Sequence, residues 1–341
     1  MPPRPCTDDD RSAPPPVRST MNDFRTPRWL PGGHVQTIWP VFFSRRFDGP
    51  SPHFRRERWD TPDGDFVDVD WQGEDVDAPL LVVFHGLEGS SSSHYSQAFA
   101  AEAQRRGWRF AMPHFRGCSG EINRAPRAYH SGDHEEIAWM LGRIRAAHRG
   151  VVVAVGVSLG GNALLRFAEE AGEGAASRVR AIAAVSAPLD LAAGARAIGR
   201  GFGRQVYTRM FMRTMKRKAF VKLRQHPGLF DAAAMKRARD LRDFDEIFTG
   251  PLHGFAGADD YYARSSAKPQ LARIRIPALV LNARNDPFLP ASALPRRDEV
   301  GSHVTLWQPA HGGHVGFARG PWPGHLQGLP RSVTDWLAER L

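Results

Sequence analysis

One short stretch constrains this chain more than any other. Val151–Val157 is β-branched and almost wholly apolar, and it runs without a spacer into Gly156-Val157-Ser158-Leu159-Gly160. Leu159–Ala171 then carries helix formers at helical spacing. An apolar run of this length reads as a central strand. A strand that turns at once into a helix leaves no room for side chains on either side of Ser158. Glycine at 156 and 160 is the answer to that crowding, and Gly161 clears further space. The pattern is G-x-S-x-G in the strand-turn-helix setting it requires. It places a serine hydroxyl above the end of a sheet, at a helix N-terminus that favours developing negative charge.

The rest of the chain supplies such a sheet. Leu80–His85 is a continuous apolar run, and so is Trp108–Phe115. His53–Trp59 and Phe66–Trp71 flank the turn signal Thr61-Pro62-Asp63-Gly64-Asp65, which predicts an antiparallel hairpin. Arg180–Ser186, Ala278–Asn282 and Val304–Gln308 read as further strands, and His94–Arg106, His134–Arg149 and Arg331–Leu341 as amphipathic helices. Strands alternating with helices imply right-handed crossovers and a mostly parallel sheet, the α/β class. The rhythm breaks between Leu189 and Tyr262, which reads as a helical insertion, a lid spanning about 190–262 over one edge of the sheet. Residues 29–341 then form one domain. Residues 1–28 read as a disordered tail, rich in Pro, Asp, Ser and Arg. The tail has no apolar stretch of the secretory kind. Two cysteines, one of them in that tail, exclude a disulfide framework and fit a reducing, cytoplasmic setting. No run of some 18 apolar residues reads as a membrane span.

A serine hydroxyl is a poor nucleophile near neutral pH and needs a base. For this architecture the order is serine, acid, histidine. Asp286 follows the strand Ala278–Asn282 and is the expected acid, with Asp190 as its rival. His311-Gly312-Gly313-His314 follows the last strand. His314 is the expected base, because Val315-Gly316-Phe317 anchors its loop. His311 is the alternative base, though a structural hydrogen-bonding role suits it better, and His325 is a third candidate that reads as a surface residue. Two backbone amides must receive the oxyanion. Leu159, next to the serine, provides one. Leu87, in His85-Gly86-Leu87-Glu88-Gly89, provides the other, and Ser90–Ser93 continues that loop flexibly. Arg116-Gly117 reads as a loop organiser and Cys118 as a packed thiol. His34 either approaches the site or belongs to an N-terminal cap. No His/Cys/Asp spacing suits a metal and no Gly-rich phosphate loop appears, so no cofactor is expected.

Several blocks in order carry a resemblance. They are Gly33-His34-Val35-Gln36-Thr37, Pro62-Asp63-Gly64-Asp65-Phe66, Val83-Phe84-His85-Gly86-Leu87-Glu88-Gly89-Ser90, His114-Phe115-Arg116-Gly117-Cys118-Ser119-Gly120-Glu121 and Tyr129-His130-Ser131-Gly132. Ser158-Leu159-Gly160-Gly161-Asn162, Asp286-Pro287-Phe288 and His311–Phe317 complete the set. From Trp29 onward the chain resembles the YheT-like group of α/β-hydrolases, the AB hydrolase 4 family. The resemblance implies the α/β-hydrolase fold, a relay of Ser158, Asp286 and His314, and hydrolysis of carboxylic esters, short-chain or of the acylglycerol or phospholipid type. The chain departs from the family at Asp133-His134-Glu135-Glu136, where relatives carry Glu, Thr and a later Asp; this bears on the helix start. Animal relatives carry an N-terminal membrane anchor for which the tail here has no counterpart.

Charge adds a second theme. Lys and Arg number 46 against 36 Asp and Glu, a formal +10. Leu191–Phe230 holds ten of the basic residues and no acidic one, which equals the whole surplus. Arg196, Arg200 and Arg204 are spaced as one helical face, and Ile198, Phe202, Val206 and Met210 as another. A basic amphipathic lid of this kind would draw the protein to anionic lipid surfaces, as a peripheral partner. Three functions stay open at this point: a serine esterase, an acyltransferase using the same residues, and a basic membrane-surface or nucleic-acid binder without a recognisable nucleic-acid motif.

Overall fold

A computed structural model of the chain describes residues 24–341. The expected tail through residue 23, with Cys6, lies outside the described residues. Its last part does not behave as a tail: Phe24 is buried, with its ring edge-on to Phe317 at 5.1 Å.

Eight strands form one sheet in the order β1-β2-β4-β3-β5-β6-β7-β8. They are β1 (Arg55–Asp60), β2 (Phe66–Gln72), β3 (Leu80–Phe84), β4 (Arg109–Pro113), β5 (Val152–Val157), β6 (Ala181–Val185), β7 (Ala278–Leu281) and β8 (Val304–Trp307). The β1–β2 hairpin and the β2–β4 pair are antiparallel, and the other neighbours run parallel. This is the α/β-hydrolase fold. β3 to β7 are buried on both faces along their length, which is why they read as apolar runs.

Side-chain alternation splits the core in two. Leu80, Val82 and Phe84 of β3 join Val152 and Ala154 of β5 under helices α3 (His134–Ala147) and α4 (Leu159–Ala171). Leu81, Val83, Val153, Val155 and Val157 face the opposite layer, α2 (His94–Arg105) and the terminal helix Gly328–Ala338. A one-residue slip of any strand would exchange these two sets, so the register is strongly specified.

The strand order also locates a crevice. From β3 the chain crosses to β4 on one side, whereas from β5 it crosses to β6 on the other. The loops after β3 and β5 therefore diverge at their C-terminal ends, the place where open α/β sheets receive ligands. Leu87 and Ser158 lie on those two loops.

Between β6 and β7 the chain is helical from α5 (Leu191–Ile198) to the helix Ala258–Ser265. Part of it has a small core of its own, formed by Met212, Ala219, Met235, Ala238, Phe244 and Phe248. The expected single face of Arg196, Arg200 and Arg204 does not form. Gly201 at φ +50° interrupts the helix after α5, and the next long helix is Arg209–Gln225. Ile198 is buried while Phe202, Val206 and Met210 are exposed, so the expected apolar face is divided as well. The arginines of this stretch all point outward. Its three lysines turn in, Lys216 to the carbonyls of Lys236 and Ala238, Lys218 to Glu88, and Lys222 to the carbonyls of Asn123 and Ala125.

Candidate active site

Ser158 sits between β5 and α4 with φ +53° and ψ −119°. A non-glycine residue at positive φ is strained by about 1–3 kcal/mol and persists only where its surroundings force it. Here the forcing is steric. A Cβ on Gly156 would stand 2.4 Å from the Gly160 carbonyl oxygen, and one on Gly160 would stand 2.5 Å from the carbonyl oxygens of Phe84 and His85. Any side chain at either position would push α4 off the sheet. The Ser158 amide is fixed by donating to the Val185 carbonyl at 2.8 Å.

The three side chains expected from chain order meet. Ser158 Oγ lies 3.0 Å from His314 Nε2, and His314 Nδ1 lies 2.9 Å from Asp286 Oδ2. The Asp286 carboxylate is buried and also accepts the Phe288 amide at 2.7 Å. A carboxylate only accepts, so Nδ1 carries the proton and the Nε2 lone pair faces the serine hydroxyl. The Phe288 ring stacks on the imidazole, 3.9 Å between centroids at 10°. Asp190 is elsewhere: it caps α5 by accepting the Ala193 amide. His311 is exposed beside Asn285. His325 belongs to a short bridge with Arg45 and Arg319.

The loop after β3 is built to leave one amide spare. The Gly86 amide donates to Tyr95 Oη, the Glu88 amide to Tyr129 Oη, and the Gly89 amide to the Gly86 carbonyl. The Leu87 amide is the one left over. Leu159 opens α4, so its own amide has no helical acceptor. Gly86 passes so close that a Cβ there would lie 3.1 Å from Ser158 Cβ. His85 is fully buried, donates from Nδ1 to the Gly86 carbonyl and accepts the Phe115 amide. Burial pushes its imidazole down to about 3, so it is neutral scaffolding. The expected flexible Ser90–Ser93 run is instead a hydrogen-bonded turn into α2. Ser90 and Ser93 bond each other, and Ser96 Oγ donates to the Ser90 carbonyl.

The block around His34 holds the histidine loop in place, a role that local pattern did not reveal. Buried Gln36 accepts the Gly312 amide and the Asn285 carboxamide on Oε1, each at 2.9 Å, and donates to the Leu30 carbonyl. The His314 amide donates to Thr37 Oγ1 at 2.9 Å. Gly313 (φ +61°) and Gly316 press directly on the Gln36 backbone. His34 does not reach Ser158: its Nδ1 lies 3.1 Å from Tyr207 Oη and its ring packs on Phe202. It joins α1 (Gly32–Phe42) to the insert.

Lys218, from the helix Arg209–Gln225, pairs with Glu88 at 2.9 Å, and Glu88 also accepts the Tyr129 hydroxyl. Cys118 is buried beside Lys218, and burial raises its thiol to about 11, away from reactivity. Arg116 ties Asp63, Asp65 and Glu136 together below the loop. Glu136 belongs to the sequence block that departs from the family. Among the described residues no group of three or more His, Cys, Asp or Glu is placed to hold a metal, and no helix is long and apolar enough to cross a membrane.

A cavity opens above Ser158 and His314. Its walls are mostly apolar, with Leu191, Ile198, Phe211, Leu241 and Phe288 among them, and Ser131, Asp245, Tyr261 and Tyr262 add polar groups. The arrangement sets a hydroxyl, an imidazole, a buried carboxylate and two spare backbone amides beside one cavity.

Comparison with known proteins agrees with this fold. The family model described as alpha/beta hydrolase fold matches residues 79–321. YheT of Escherichia coli (strain K12), provisionally named an esterase, is 40% identical over 329 residues, covering 95% of each chain. Phospholipase ABHD3 of Mus musculus is 28% identical over 321 residues, 91% of this chain and 76% of that one. Among solved structures, mouse alpha/beta hydrolase domain-containing protein 10 superposes with a TM-score of 0.54 at 11% identity, over 84% of this chain and 99% of that one. The chain belongs to the α/β-hydrolase family, within its YheT-like group.

Proposed function

We propose that the protein is a serine esterase that hydrolyses carboxylic esters through an acyl-enzyme. The observation that carries this reading is the unbroken path from Asp286 through His314 to Ser158, 2.9 Å and 3.0 Å, at a strained turn flanked by two spare amides. Ser158 Oγ attacks the ester carbonyl carbon while His314 Nε2 takes its proton. The amides of Leu87 and Leu159 hold the resulting oxyanion. His314 returns the proton to the leaving alcohol as the C–O bond breaks. Water, deprotonated by the same imidazole, then releases the acid. Asp286 fixes the imidazole tautomer and stabilises its cation. The names borne by its relatives, an esterase and a phospholipase, support ester cleavage.

Substrate delivery forms the finer part of the reading. Phe202, Val206 and Met210 are exposed on the helical lid, among the exposed Arg200, Arg204 and Arg209. Apolar side chains among cations suit an anionic lipid surface. The lid would rest there and admit esters to the cavity beneath it.

The test is active-site labelling. Ser158→Ala abolishes capture by a fluorophosphonate probe and hydrolysis of p-nitrophenyl acetate. Labelling retained in that variant overturns the assignment.

A further inference from the structure

A second cavity adjoins the one above Ser158. The first measures about 110 Å³ and the second about 80 Å³. Leu87, Leu159, Met215, Asp245 and Tyr261 line both, so they form the partition between the two. One helix roofs the pair. Along Arg209–Gln225, Phe211 lines the first cavity only, Met215 lines both, and Ala219 and Lys222 line the second only. These positions lie three or four residues apart and so form a single helical stripe. At about 1.5 Å per residue the stripe runs roughly 16 Å from the catalytic cavity into its neighbour.

Met215 is the member of the partition that can give way. Tyr261 Oη is held by the Ser131 amide at 2.9 Å. The buried Asp245 is held by Thr249 Oγ1 at 2.6 Å and Tyr262 Oη at 2.8 Å. Leu87 and Leu159 belong to the two turns that carry the spare amides. Met215 is half-buried, and its unbranched thioether side chain turns readily between rotamers.

The second cavity has its own chemistry. Ile122, Ala128, Phe244 and Phe248 give it hydrocarbon walls. Its cationic groups are already satisfied within the fold. Lys218 pairs with Glu88, Lys222 donates to the carbonyls of Asn123 and Ala125, and Arg116 holds Asp63, Asp65 and Glu136. Such a space suits the end of a hydrocarbon chain and not a charged head. Its position selects one half of the ester. His314, which must hand a proton to the leaving alcohol, lines the first cavity only. The second cavity lies past Leu87 and Leu159, on the side of the acyl carbonyl. A cavity of about 150 Å³ takes up one benzene molecule. The smaller space over Ser158 therefore holds a short acyl group, and a longer one needs the second cavity.

We infer that the distal end of the substrate's acyl chain lodges in the second cavity, and that Met215 is the specificity-determining residue that admits it. This rests on the esterase reading above. Two series test it. One compares p-nitrophenyl butanoate with p-nitrophenyl octanoate, with the chain in the acyl half. The other compares butyl acetate with octyl acetate, with the chain in the alcohol half.

In the wild-type protein kcat/KM for the octanoate exceeds that for the butanoate by about tenfold or more, since each buried methylene supplies up to about fourfold. Met215→Trp closes the partition and brings that ratio to about one, the value for a chain that buries no further methylene. Ile122→Trp fills the second cavity from a wall that the first does not share, and it has the same effect. It decides the matter should Met215→Trp fail to fold. The ratio of octyl to butyl acetate stays that of the wild type in both variants. A wild-type acyl ratio near one overturns the inference, as does an acyl ratio that survives the substitutions. An alcohol ratio that collapses in place of the acyl ratio also overturns it. Fluorophosphonate labelling of Ser158 separates the two readings. A protein that labels but shows no acyl preference refutes only the second cavity's role, whereas one that does not label refutes the esterase.

Discussion

The Phe288 ring lies flat on the imidazole of His314, 3.9 Å away at 10°, while the Phe288 amide donates to the carboxylate of Asp286 on which that imidazole leans. One residue therefore sets both the tilt of the proposed base and the position of its acid. Phe288→Ala keeps the amide and loses the ring. We expect kcat to fall about tenfold on a short ester, since loose positioning of a reacting group carries a cost of that order or more. Circular dichroism should remain that of the wild type, and steady-state kinetics checks the outcome.

Asp286→Asn leaves the shape of the site intact but offers His314 a donor where it needs an acceptor. The imidazole then settles in the wrong tautomer. On the precedent of serine hydrolases, kcat drops on the order of 10⁴-fold. A loss under tenfold in a stopped-flow acylation assay would transfer the acid role away from Asp286.

Gln36 joins Leu30, Asn285 and Gly312 through a single buried carboxamide. Gln36→Ala strands those partners, and each buried group left unpaired costs about 1–3 kcal/mol. Melting temperature should fall by several degrees, and kcat should fall more than KM changes, because the Asp286 and His314 loops lose their common support. Unaltered thermal melts would show that these loops hold each other without it.

Burial pushes the Asp245 carboxyl up from its ordinary 3.8 to about 6. The folded chain therefore binds this proton more tightly than the unfolded one. Between pH 3.8 and about 6 the folded state carries more protons, so stability from this group falls as pH rises and levels off above that window. Asp245→Asn removes the slope. The difference in melting temperature, wild type minus variant, should decline from pH 4 to pH 6.5. A rising difference would contradict the sign.

Phe202→Asp combined with Met210→Asp places charge on the exposed apolar patch of the lid. Sedimentation with phosphatidylserine vesicles should weaken about tenfold or more, while hydrolysis of p-nitrophenyl acetate stays within twofold. Equal vesicle binding by both proteins would rule this surface out as the lipid contact.

Much of the architecture was legible because it is local. β5, its turn and α4 announce themselves in one contiguous stretch, and the apolar runs of β3 and β4 follow from burial on both faces. Asp286 and His314 were legible from chain order and from the loops they occupy. Gln36 was not, because Asn285 and Gly312 lie 249 and 276 residues away and no periodicity encodes them. The single arginine face failed for a related reason. Spacing assumes one continuous helix, and the helix breaks around Gly201. Phe24 sits among polar residues in the sequence and so falls in the expected tail, yet its ring finds Phe317 across the fold.

The Lys218–Glu88 pair has a mechanical consequence. The ammonium belongs to the helix Arg209–Gln225, and the carboxylate belongs to the loop that carries Leu87. An excursion of that helix wide enough to break the pair would leave the Glu88 carboxylate to Tyr129 alone. One ion pair thus links the position of that helix to the loop that carries Leu87.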